Sequence, residues 1–181
     1  MSPRHPAAVL ACAGLTLLVG CGSPVAELPS VTGSPMSEAV AELEAAGFTV
    51  SYEDDAPDVP EHWLVAAQKP DITRAEKGSE VVLALTSVLE RAADRCGAGG
   101  VGDSGSSIDL DMEGDDAFSG DLTISDVTCV LDELGVPDSV MSKMEATRSL
   151  DGRQTEDWGG IEATWTYHPD DGLDVILELQ T

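Results

Sequence analysis

The sequence predicts an α+β protein of two units: one helix on a three-stranded sheet, then a disulfide-bonded unit in the order strand, strand, helix, helix, strand, strand (ββααββ). Three observations predict it. Apolar residues recur at helical spacing in 36–46, 127–134 and 140–144, and alternate at period two in 48–52, 81–85, 163–167 and 173–179. A Gly- and Ser-rich stretch at 98–107 separates the two sets. Two of the four cysteines, Cys96 and Cys129, stand where they can staple the second unit.

Residues 1–20 read as an export leader. Arg4 is their one fixed positive charge, and an uncharged, mostly apolar run follows from Ala7 to Val19. That run is too short to span a bilayer, which takes about 20 residues, and suits the core of a signal peptide. It ends Leu18-Val19-Gly20-Cys21. This resembles the lipobox of bacterial lipoproteins, and the resemblance implies that Cys21 becomes a lipidated N-terminus carrying more than one acyl chain. A single chain would anchor weakly, at about 0.8 kcal/mol per buried CH2. The expected placement is the extracytoplasmic face of the cell membrane, held by the lipid.

Arg4 leaves with the leader, so eight of the nine Lys+Arg remain against all 34 Asp+Glu, a formal charge near −26 on 161 residues. That charge excludes a simple nucleic-acid role, because phosphate binding needs cations, and disfavours lying flat on anionic lipid. Asn is absent, so turns rely on Gly, Asp and Pro. Cys12 leaves with the leader and Cys21 takes the lipid. Cys96 and Cys129 remain in a compartment that permits disulfides, and we expect them to pair. They have neither CxxC spacing nor a nearby His for a metal or redox site.

Residues 21–30 read as a short tether of at most about 30 Å. The first unit, 27–87, opens with Ser34 as helix cap and Pro35 at the first helical position. Met36, Ala39, Val40, Leu43 and Ala46 form the apolar stripe, and Gly47 stops the helix. Phe48–Tyr52, Trp63–Gln68 and the run containing Val81, Leu83 and Leu85 read as strands, with a loop at 53–61 and a turn from Pro70 to Gly78. Residues 88–107 read as a linker. The second unit, 94–181, begins with a hairpin: Ile108, Leu110 and Met112 alternate, as do Phe118, Leu122 and Ile124. Ser125 or Asp126 then caps a helix with Val127, Val130, Leu131 and Leu134 inward, stopped by Gly135. Pro137 and Asp138 open another helix to about Thr147, burying Val140, Met141 and Met144. A final hairpin pairs Ala163, Trp165 and Tyr167 with Leu173, Val175, Leu177 and Leu179 across the His168–Gly172 turn.

Several residues of the first unit carry a resemblance. Leu28-Pro29, Gly33, Glu38-Ala39, Leu43, Ala46-Gly47-Phe48, Val65-Ala66-Ala67-Gln68-Lys69-Pro70 and Lys77-Gly78-Ser79 stand in the order found in PASTA domains. Thr73 departs from that pattern, which usually has a glycine there, and the Pro70–Gly78 turn is one residue short of it. The resemblance implies a helix on a small sheet, and a role in binding muropeptides or β-lactams, in spacing, or in protein contacts. Leu150-Asp151-Gly152-Arg153-Gln154 with Trp165-Thr166-Tyr167-His168-Pro169 resembles an uncharacterised domain of exported actinobacterial proteins, which implies no activity.

The candidate ligand-binding residues are Trp63, Lys69, Arg74 and Lys77. The three cations lie within nine positions, with Arg91 and Arg95 beyond. Such a cluster in an acidic chain suits a peptide carboxylate, and the plainer reading is a solvated turn. Trp63 suits stacking on a sugar or packing in the core. Asp109, Asp111, Glu113, Gly114 and Asp115 resemble the start of a calcium loop, but position 12, which should be Glu, is Gly120. No GxSxG, HExxH or phosphate loop occurs, and His62 and His168 stand apart from any nucleophile pattern. The expectation is a non-catalytic envelope lipoprotein without metal or cofactor. Its partners would be the membrane, through the lipid, together with peptidoglycan fragments or precursors and an envelope protein. The alternatives are a pure protein-interaction module of a synthesis or signalling complex, and a small envelope hydrolase.

Overall fold

The computed structural model describes residues 24–55, 57, 60–116 and 119–180. The leader, Cys21 and Phe118 lie outside the described residues. The two sets of apolar positions bury into two separate cores. One gathers Leu28, Val31, Ala39, Leu43, Phe48, Val65, Val81 and Leu83. The other is centred on Leu89, Ile108, Leu110, Leu131, Trp165 and Leu177.

The chain pairs at once. β1 (Val25–Glu27) forms an antiparallel ribbon with a later strand, so residues 25–30 are not the tether the composition suggests. α1 (Met36–Ala46) buries Met36, Ala39 and Leu43 and ends at Gly47, whose φ of 91° is the left-handed turn glycine permits. Ser34 is not its cap. Its N–H donates to Val31 O and its carbonyl accepts from Val65 N, so the helix begins one residue later with Pro35 at the cap position.

β2 (Thr49–Tyr52), β3 (Trp63–Lys69) and β5 (Glu80–Ser87) form a sheet in the order β2-β5-β3, with β5 parallel to β2 and antiparallel to β3. Between them, β4 (Arg74–Glu76) occupies the expected Pro70–Gly78 turn and is the partner of β1. Gln68 explains why the N-terminal segment holds. Its buried amide accepts from Val31 N at 2.7 Å and donates to Pro29 O at 3.1 Å, clamping a segment outside the sheet onto β3.

Residues 88–107 are not a linker. α2 (Val88–Cys96) follows β5 directly and buries Leu89, Ala92 and Ala93 in the second core. Its start is a reciprocal cap: Ser87 Oγ accepts from Glu90 N at 3.0 Å and Glu90 Oε2 accepts from Ser87 N at 2.9 Å. After it, Gly100 serves close approach, since a Cβ there would lie 2.3 Å from the Asp109 carbonyl oxygen. β6 (Val101–Gly102) pairs with β7 (Ser107–Asp111).

The expected hairpin over 108–124 does not form. β7 pairs with the C-terminal strand instead, and Met112 and Leu122 share only an isolated bridge. The cause is Thr123. Its hydroxyl accepts from Asp126 N while Asp126 accepts from Thr123 N, a capping box that starts α3 (Ile124–Glu133) where a strand was expected. Asp126 is therefore the third helical residue, not the cap. Its carboxyl is held below the usual range by these Thr123 hydrogen bonds.

α4 (Asp138–Ala146) begins and ends close to expectation, with Val140 and Met144 buried. Of the last three strands, β8 (Gln154–Trp158) was not expected, whereas β9 (Ile161–His168) and β10 (Gly172–Leu179) were. The predicted facing residues meet: Trp165 opposes Val175 and Ala163 opposes Leu177. The sheet order is β6-β7-β10-β9-β8, all antiparallel. The fold is α+β, and the second unit runs helix, two strands, two helices, three strands. No described helix is long and apolar enough to cross a membrane.

Candidate functional site

The structure separates Trp63 from the cations grouped with it by sequence. Six residues along β3 put Trp63 and Lys69 about 20 Å apart. Their equal parity suggests one face, but a bulge between Val65 and Ala67 shifts the register, so Trp63 lies opposite Ser87 and Lys69 opposite Val82. A one-residue slip turns a side chain to the other face. Each cation also has its own neighbour. Lys69 pairs with Glu53. Arg74 stands across the β1–β4 ribbon from Glu27. The Lys77 stem passes over Gly47 at the C-terminus of α1, where the helix dipole favours a cation.

Trp63 instead helps line a cleft of about 440 Å³ with Tyr52, Leu83, Leu85, Asp54, Asp55, Glu90 and Ser104. The cleft lies where the two units join: its aromatic and aliphatic walls come from the first sheet, and Glu90 and Ser104 from α2 and the turn after β6. Both rings are half-buried. Burial, and then the charge of Glu44, push the Tyr52 phenol above its ordinary range. Glu90 is pinned by Ser87 N and by Thr86 Oγ1 at 3.2 Å. Asp103 and Ser104 both adopt left-handed backbone, φ 49° and 55°, in the turn that brings Gly105 against the Glu90 carboxylate. That conformation is uncommon without glycine and strained. Period-two counting could not find this cleft, because it depends on the bulge in β3 and on α2 following β5 without a linker.

His62 is buried, and its ring lies against the β8–β9 turn, where a Cβ on Gly160 would stand 2.5 Å from Nε2. His168 is the last residue of β9, its Nδ1 accepting from Asp170 N at 3.2 Å in the turn that follows. Cys96 and Cys129 are joined, with Cα atoms 5.8 Å apart, tying α2 to α3. Among the described residues no three His, Cys, Asp or Glu are grouped to hold a metal ion.

Two of the acids that suggested calcium, Asp109 and Asp111, stand on β7 beside a carboxylate of β10 instead. Asp111 on β7 lies directly across from Asp174 on β10. One Asp174 oxygen, Oδ1, is buried without a partner. Burial first, then Asp111, with smaller contributions from Asp171 and Asp109, push the Asp174 carboxyl from 3.8 up to about 6. A raised carboxyl pKa means that the folded state binds the extra proton, so stability falls as pH rises from about 4 to about 6. The full shift would equal about 3 kcal/mol. Partial exposure and screening reduce it to about 1 kcal/mol. Asp174→Asn is therefore expected to raise the melting temperature by roughly 3 °C at pH 7.5 and to change it little at pH 4. Equal shifts at both pH values would show that the cost of ionising the half-buried Asp174 is not the cause.

The fold and site define an α+β chain of two units, with an aromatic cleft edged by carboxylates at their junction. Residues 26–86 match the family model of the PASTA domain, so the first unit is a PASTA domain. No curated protein and no solved structure matches the chain.

Proposed function

We propose that this is a non-catalytic accessory lipoprotein of the cell envelope, whose PASTA domain contacts peptidoglycan or its precursors close to the membrane. The PASTA match at residues 26–86 carries the reading. The start of the fold adds to it. Pro24 already accepts a hydrogen bond from Lys77 N at 2.9 Å, and β1 begins at Val25. Four residues from Cys21 to Val25 reach at most about 14 Å. A lipid on Cys21 would therefore hold the PASTA domain against the headgroups. The ligand within reach is nascent or membrane-proximal wall material, and the acidic second unit is left to meet an envelope protein.

Three measurements test this. Cys21→Ala is expected to move the protein from the membrane fraction to the soluble fraction, and mass spectrometry of the native protein should show an acylated Cys21. The purified mature chain is expected to sediment with isolated sacculi or with vesicles carrying lipid-linked precursor. If neither retains it, the wall reading gives way to a pure protein-interaction module.

A further inference from the structure

We propose that the cleft between the two units binds a primary ammonium group on an aliphatic stem, such as the side chain of a diamino acid in a wall peptide. The inference rests on the wall reading for the source of the peptide and on the cleft alone for its chemistry. At about 440 Å³ the cleft falls in the size range of small-ligand sites. Leu85, with the half-buried rings of Tyr52 and Trp63, offers apolar surface to a methylene stem, over the buried Leu83. Trp is the best ring for a cation, and Tyr serves too.

The polar groups agree in sign. Asp54, Asp55 and Glu90 are the carboxylates among the described lining residues, and no Lys or Arg is among those residues. Glu90 is a fixed charge, because Ser87 N and Thr86 Oγ1 hold it. Asp54 and Asp55 are exposed. A carboxylate ligand would meet three like charges there. An ammonium gains charge-assisted hydrogen bonds and ring contact together. The strongly negative chain also favours the approach of a cation. The selectivity is therefore the reverse of the one the clustered cations suggest: the amine end of a peptide enters, and the carboxylate end stays outside.

The test uses the full mature chain and the stem tetrapeptide L-Ala-γ-D-Glu-L-Lys-D-Ala acetylated at its amino terminus, with the form also acetylated at Nε as control. The lysine peptide is expected to shift the Trp63 indole resonance in NMR. Acetylation at Nε, Asp54→Asn with Asp55→Asn, or a rise to 0.5 M salt should each weaken binding by about tenfold, the loss of one cation contact. Asp54 and Asp55 are exposed, so their substitution leaves the fold intact. Trp63→Leu with a native melting curve supplies the ring test and should also weaken binding. Equal binding of the two peptides, or binding that leaves the Trp63 indole unmoved, overturns the proposal. Retention on sacculi without response to either peptide overturns it while leaving the wall reading in place. Binding of the lysine peptide without retention on sacculi or precursor supports the cleft and removes the wall reading.

Discussion

Gln68→Leu is expected to lower the melting temperature of the mature protein by roughly 10 °C. Leu fills similar space but can neither accept from Val31 N nor donate to Pro29 O, which Gln68 does at 2.7 and 3.1 Å. Each backbone group left buried and unpaired costs about 1–3 kcal/mol, so about 3 kcal/mol is lost in all. For a chain of this length each kcal/mol moves the midpoint by about 2–4 °C. The damage has a place: Leu28 and Val31, both buried, are held to the sheet by this amide. Limited proteolysis should cut first between β1 and α1 in the variant and elsewhere in the native protein. A midpoint within about 2 °C of native would show that apolar burial and the other backbone hydrogen bonds hold the segment without this amide.

The parts of the fold that follow from period and turn chemistry were legible. The α1 stripe, the β9–β10 pairing and the Cys96–Cys129 link could all be read from residues near one another or from elimination. What was not legible depends on competition between local signals. Residues 98–107 have the composition of a flexible linker, yet Gly100 is there because the backbone of β7 passes too close for a side chain. Ile108–Ile124 alternates like a hairpin, but Thr123 and Asp126 cap each other and draw Ile124 into a helix. The Ser87-x-x-Glu90 box was visible and would have announced α2. The cleft was less accessible still. Trp63 was singled out, but Tyr52, Asp54 and Asp55 lie on the far side of β5, and Glu90 and Ser104 come from the other unit. No spacing in the chain links them.

Breaking the disulfide is the second large effect. Cys96→Ser with Cys129→Ser, or full reduction, is expected to cost roughly 3–4 kcal/mol by the chain-entropy model, again a fall of about 10 °C. The bond closes a loop of 33 residues' separation and joins the end of α2 to the middle of α3, two helices already in contact, so its loss acts mainly by freeing the unfolded chain. Arg95 and Glu133 form an ion pair at 2.7 Å across the same two helices. Both side chains are substantially exposed, so Arg95→Gln should cost well under 1 kcal/mol. A large loss in that variant would shift the credit from the covalent link to the charges. The effect should also reach the cleft. Glu90 belongs to α2 and Ser104 to the turn inside the closed loop, so loosening the second unit removes one wall while Tyr52 and Trp63 stay on the first sheet. Reduced protein held below its melting temperature should therefore keep its PASTA fold and bind the lysine peptide more weakly.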